Sequence, residues 1–190
     1  MLYNARMRHA LKRHPDSLGT AAAHVEVEIA RPRAGLLSVS YVVTGRIADI
    51  LLPKALPPAR ADELWQHTCF EAFVRAPSGD AYYEFNVSPS TRWAAYRFDG
   101  YRRGMRAAAE IDAVPVEVEA GRDRYRLKAS FELFRLPDLG GETAWRLGLS
   151  VLIDDANGRR SYFALAHPPG QPDFHHADGF TLEFSPAVAS

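Results

Sequence analysis

WQHTCFEAFVRAPSGDAYYEFNVSP, residues 65–89, decides the fold. Two apolar-rich runs flank a Pro-Ser-Gly-Asp cluster, which is the pattern of a β-hairpin. With Ser78-Gly79 as a two-residue turn, Phe70 faces Val87, Ala72 faces Phe85 and Val74 faces Tyr83. All three pairs are apolar, so this register buries one whole face, and a one-residue slip would mix the faces. The opposite face pairs Glu71 with Asn86, Phe73 with Glu84 and Arg75 with Tyr82.

Two further hairpins follow. In VPVEVEAGRDRYRLKASFE, residues 114–132, a Gly121-Arg122 turn sets Val118 against Tyr125 and Val116 against Leu127. Its other face then pairs Glu117 with Arg126 and Glu119 with Arg124, opposite charges across the ladder. Asn157-Gly158 is the strongest short hairpin signal in the chain. That turn pairs Ile153 with Tyr162 and Val151 with Ala164, and its other face, with Leu152 near Phe163, is apolar too.

Around these hairpins, residues 24–30 alternate Val25, Val27, Ile29 with Glu26, Glu28, a half-buried strand. Residues 36–44 are apolar on both faces and read as a central strand, and residues 46–52, 92–98 and 180–185 fit further strands. Helical periodicity is scarce; residues 3–13 fit one short helix. The proline-rich LPKALPPARADE, residues 52–63, reads as an ordered loop inside one domain. The expected fold is an all-β antiparallel β-sandwich of about ten or eleven strands, jelly-roll-like in topology. Residues 1–23 read as an N-terminal extension and residues 24–190 as the single domain.

The 190 residues suit one domain that needs neither disulfide nor metal. Lysine plus arginine and aspartate plus glutamate both number 23, so no electrostatic footprint for nucleic acid exists. The basic opening, MLYNARMRHALKRHPDS, lacks the apolar core of a secretory signal, and no run approaches a membrane span. Cys69 is the only cysteine. The expectation is a cytoplasmic, soluble protein with no nucleic-acid or membrane partner; a homodimer stays open.

The candidate chemistry sits in residues 65–105. Phe70, Tyr83 and Phe85 fall on the apolar face and read as core. Trp65 opens a strand beside the proline-rich loop, and Trp93 follows the turn-forming SPST. Ring faces at strand ends suit stacking on a sugar, although large aromatics are usually buried. Glu71, Asn86 and Arg97 lie inside strand patterns; a solvated sheet face explains them, and so does orientation of a polyol, with Arg97 able to clamp a carboxylate. Glu71 and Glu84 form a diagonal pair roughly 7–8 Å apart, near the roughly 6.5–9.5 Å of an inverting glycosidase. ALAHPPGQPDFHHADGF, residues 164–180, gathers His167, Asp173, His175, His176 and Asp178; a structural loop accounts for them better than a metal site does. Cys69, within an apolar strand, reads as a small core residue.

LWQHTCFEAFV with YYEFNVSPSTRWAAYRFDGYRRGM, and the tail SYFALAHPPGQPDFHHADGFTLEF, resemble the DOMON-like superfamily, which includes family 9 carbohydrate-binding modules. The resemblance spans about residues 25–184 and is nearest an uncharacterised bacterial branch. It implies a β-sandwich that binds sugars without catalysis or, in other branches, haem. Thr68 stands where many relatives have an acidic residue, and Thr91 where a glycine is common. The haem branch uses axial Met with His or Lys, for which Met105 is the one plausible methionine. What carries over is binding, at Trp65, Glu71, Asn86, Trp93 and Arg97. The expected function is therefore a non-catalytic module for a carbohydrate or sugar-like metabolite, with no cofactor and no metal. The alternatives are a hydrolase using Glu71 and Glu84, a haem protein using Met105 and a histidine, and an interaction domain without a small ligand.

Overall fold

Among the described residues, 6–140 and 144–185 of a computed structural model, thirteen strands form two antiparallel sheets. The five-stranded sheet runs β1 (Arg6–Ala10), β3 (Ala22–Arg33), β4 (Leu36–Gly45), β10 (Arg124–Glu132) and β9 (Val116–Ala120). The eight-stranded sheet runs β2 (Lys12–Arg13), β12 (Arg160–Ala164), β11 (Trp145–Asp154), β5 (Cys69–Arg75), β6 (Tyr82–Val87), β7 (Trp93–Phe98) and β8 (Arg106–Ala107). Its remaining strand, β13 (Leu182–Phe184), pairs with the start of β11. The helical turns among the described residues are all 3₁₀, and none is long and apolar enough to cross a membrane.

The alternating apolar residues of the two sheets meet in one core. Val25, Val27, Ile29, Leu37, Val39 and Tyr41 come from the smaller sheet, and Phe70, Val74, Tyr83, Phe85, Leu149 and Val151 from the larger. Phe85 meets Phe131 across the layers, ring centroids 4.5 Å apart. Burial of this interdigitated apolar surface is the main force holding the sheets together.

The three hairpins show what fixes a register. The β5–β6 pairing has Phe70 opposite Val87, Ala72 opposite Phe85 and Glu71 opposite Asn86, as the apolar pattern requires. The connection is longer than two residues: residues 76–81 lie outside both strands, with Gly79 at φ 89°. In β9–β10 the pairing is displaced by two residues, setting Val118 opposite Leu127 and Glu119 opposite Arg126. The Gly121 N–H donates to the Arg124 carbonyl at 2.8 Å, so Arg122-Asp123 forms the turn. A two-residue shift keeps every side chain on its face, so hydrophobicity cannot tell the two registers apart. In β11–β12 the displacement is one residue: Leu152 pairs with Tyr162 and Val151 with Phe163. The buried Asp155 decides this, its Oδ1 accepting from the N–H groups of both Asn157 and Arg159 at 2.9 Å. The loop becomes three residues, with Gly158 at φ 71°, a type I turn closed by a left-handed residue.

Two expected elements differ in kind. Residues 6–13 are extended strands rather than a helix, because β1 extends the edge at β3 and Arg8 reaches Glu28 there at 3.0 Å; the start of that expected helix lies outside the described residues. These strands precede the boundary expected at residue 24, and they join both sheets. Residues 46–52 form a 3₁₀ turn, Ile47–Asp49, followed by a single bridge from Ile50 to Asp155. Thr91 takes φ 69°, which costs a β-branched residue strain, and its Oγ1 is tied to the Leu56 carbonyl at 2.7 Å. Thr68 is buried and its hydroxyl accepts from the Asp154 N–H at 3.1 Å, so this position serves the backbone.

Candidate functional site

Period-two alternation puts Glu71, Phe73, Glu84, Asn86, Ser150 and Leu152 on the outer face of the larger sheet. That face would be solvated if it were bare. Three loops cover it instead: residues 60–67, residues 99–105 and residues 165–181. Between sheet and loops lies a cavity of about 410 Å³. Its floor is Glu71 and Glu84, and its walls are Trp65, Phe98, Leu152, Tyr162, Phe174 and His175. Met105, Arg102, Arg160 and Pro172 complete the lining.

The covering loops are anchored. Tyr96 donates to Asp62 at 2.6 Å, and Arg160 donates to the Gln66 carbonyl at 2.7 Å. These two bonds fix the 3₁₀ turn Leu64–Gln66, whose Trp65 ring stands edge-on to Tyr96 and is 36% exposed. The second and third loops are tied together at Asp173, which accepts from Tyr101 and, at 2.8 Å, from Arg102. Arg102 holds φ 52°, and its N–H donates to the Tyr82 hydroxyl at 3.2 Å. Tyr82 Oη in turn lies 2.8 Å from His175 Nδ1.

The two glutamates are 4% and 5% exposed. Ser150 Oγ donates to Glu71 Oε2 at 3.2 Å, and Asn86 Nδ2 donates to Glu84 Oε1 at 2.8 Å. Burial, and then the charge of Glu84, push the Glu71 carboxyl up to about 8, against the opposing pull of Ser150 and Arg102. Burial pushes Glu84 up to about 7, against the Asn86 hydrogen bond and Arg102. His175 moves the other way, down to about 4, because burial and Arg102 both disfavour its cation. Its Nε2 lies 3.8 Å from Glu84 Oε2, so at neutral pH the contact is between a neutral imidazole and the acid rather than an ion pair. The cavity thus has an acidic floor that holds protons near neutrality, and aromatic walls.

Of the residues singled out in the sequence, Trp65 and Glu71 line this cavity. Asn86 is fully buried behind the floor, where its Nδ2 donates to Glu84 Oε1. Trp93 and Arg97 fall outside the cavity. They pair with Val87 and Tyr83, so alternation points them to the inner face. Trp93 is buried in the sandwich core with the Arg60 guanidinium over its ring at 4.6 Å. Arg97 donates to Asp138 at 2.8 Å on that same side of the sheet. One tryptophan and not two therefore faces the cavity. Tyr162 and Leu152 were hidden by the β11–β12 register, and His175 by its distance in sequence from the sheet.

Met105 and His175, the pair a haem would need, both line the cavity. His175 Nδ1 is engaged by the Tyr82 hydroxyl, and the Glu84 carboxyl stands 3.8 Å from Nε2, too near for a haem plane to pass between them; His175 with Met105 does not fit a haem. Among the described residues, no three His, Cys, Asp or Glu side chains are grouped to hold a metal ion.

No protein-family model matches the chain, and no curated protein does. Solved structures are similar to it. A protein from Bacteroides uniformis proposed to bind carbohydrate matches with a TM-score of 0.69 at 14% identity, over 93% of this chain and 84% of its own. A family 9 carbohydrate-binding module from Caldicellulosiruptor kristjanssonii, solved with cellotriose, gives a TM-score of 0.47 at 16% identity over 84% and 74%. The same organism's module with glucose gives 0.45 at 17% over 84% and 76%. The chain shares its sandwich fold with the Bacteroides protein.

Proposed function

We propose that the chain is a non-catalytic, DOMON-like module that binds a carbohydrate in the cavity over its larger sheet. The observation that carries this reading is one enclosure holding both the half-open ring of Trp65 and the buried carboxyls of Glu71 and Glu84. Its volume of about 410 Å³ lies in the range of small-molecule sites. A sugar presents an apolar face to a ring and hydroxyls to polar groups. Trp65 supplies the ring. Glu71, protonated at neutral pH, can donate a hydrogen bond, and Glu84, partly ionised there, can accept one. The sugar-binding role proposed for the Bacteroides neighbour agrees with this reading.

Thermal-shift screening of a glycan and metabolite library tests the proposal. A sugar should raise the melting temperature of the wild-type protein, and less so that of Tyr162→Ala. A library without a single stabilising sugar would overturn the reading.

A second reading has its own support, since buried, proton-holding carboxyls in a cavity are also what a glycosidase uses. Such enzymes push their two carboxyls apart, one kept protonated and one ionised. Here burial raises both, to about 8 and about 7, so the two stay close together rather than being driven far apart, which favours binding over turnover. Release of sugar from a glycoside panel, lost in Glu71→Gln and in Glu84→Gln, would reverse that preference.

A further inference from the structure

The charges around the cavity do not cancel evenly. Arg102 is held by Asp173 at 2.8 Å, and Arg160 by Asp154 at 2.7 and 3.1 Å. His175 is neutral near pH 7. Among the described residues, no cation is bonded to Glu71 or Glu84. Each carboxyl has one oxygen engaged, by Ser150 or Asn86. The other oxygen accepts no hydrogen bond from a described residue, although each side chain is at least nine-tenths buried. Two buried acceptors open on one cavity ask for a ligand with several donors and a positive charge. A hydroxyl supplies one donor and no charge; a primary ammonium supplies three donors and a charge. The walls suit such a cation, because Trp65, Phe98, Tyr162 and Phe174 present ring systems to the same space.

Resting on the carbohydrate reading, we infer that the preferred ligand is an amino sugar whose primary ammonium sits between Glu71 and Glu84. This arrangement links binding to proton release. The empty site holds protons near neutrality, and a bound ammonium favours loss of them from both carboxyls. A neutral sugar displaces none. The other groups facing the pair keep their state between about pH 5.5 and 7.5. His175 and Tyr82 stay neutral, the raised Cys69 thiol stays protonated, Asp173 stays ionised, and Arg102 and Arg160 stay cationic. A sugar amine resembles an α-amino group and stays at least half charged up to a pH of about 7.7. Affinity for the amino sugar should therefore rise with pH across this window, following the two glutamates.

Calorimetry with D-glucosamine, D-glucose and cyclohexylamine, at about pH 5.5 and 7.5 and in two buffers of different ionisation enthalpy, separates the outcomes. The expected result is glucosamine tighter than glucose by about tenfold at the higher pH, with proton release, and a smaller advantage at the lower pH. Glu71→Gln should erase the preference, bringing glucosamine affinity down to that of glucose measured on the same variant. If that variant does not fold, the proton count on the wild-type protein decides. Glucose binding as tightly as glucosamine at the higher pH would overturn the inference and leave the carbohydrate reading standing. Cyclohexylamine binding as tightly as glucosamine, or no ligand binding, would overturn both.

Discussion

Glu71 and Glu84 stand on one face of the larger sheet, on adjacent antiparallel strands and diagonal in the pairing: Glu71 is opposite Asn86, and Glu84 is opposite Phe73. Both are buried under the same three loops. This relationship makes the stability of the protein depend on pH in an unusual direction. Each carboxyl binds its proton more tightly folded than unfolded, so the native state carries the extra protons between about 4.5 and 8. Stability is fully present below the unfolded value and is lost as pH rises through the folded values. The loss should be on the order of several kcal/mol between about pH 5 and 9. Chemical denaturation at several pH values checks this. The double variant Glu71→Gln, Glu84→Gln should flatten the slope, and the acid limb set by Asp155 and Asp173, whose carboxyls are held low, should persist. Equal slopes in wild type and variant would contradict the account.

The two tryptophans should separate by phenotype. Trp93 is buried between the sheets, so Trp93→Ala should cost about 3–5 kcal/mol through lost transfer energy and a cavity. Urea denaturation of this variant should show a clearly lowered midpoint. An unchanged midpoint would place Trp93 outside the core.

Gly158 closes the β11–β12 loop at φ 71° with nothing within 4 Å of a built Cβ. Steric contacts beyond its own backbone are therefore not the issue, and conformational strain is. Gly158→Ala should lower stability by about 1–2 kcal/mol, read as a drop in melting temperature without loss of sugar binding. A variant as stable as wild type would contradict the left-handed conformation at this position.

The fold was legible wherever one face was purely apolar. The β5–β6 register follows from Phe70, Ala72 and Val74 set against Val87, Phe85 and Tyr83, since a one-residue slip turns these pairs to mixed faces. It was ambiguous by two residues at β9–β10, because Glu117 and Glu119 find a cation in either register. It slipped by one at β11–β12, where Leu152 and Phe163 make both faces apolar and the buried Asp155 makes the choice. The candidate site was half legible for the same reason. Glu71 and Glu84 follow from the first hairpin. Tyr162 needed the third register, and Trp93 needed the β6–β7 pairing that turns it inward. His175 and Arg102 reach the cavity through loops, which carry no periodicity to read.

The account rests on Trp65 facing a sugar in the cavity, and calorimetric titration of wild type and Trp65→Ala with the best sugar from a glycan library tests that claim most directly. The ring is partly exposed and its removal leaves the sandwich core intact, so the melting temperature should stay within a few degrees while affinity falls by about tenfold or more. Undiminished binding by a folded Trp65→Ala would contradict the account.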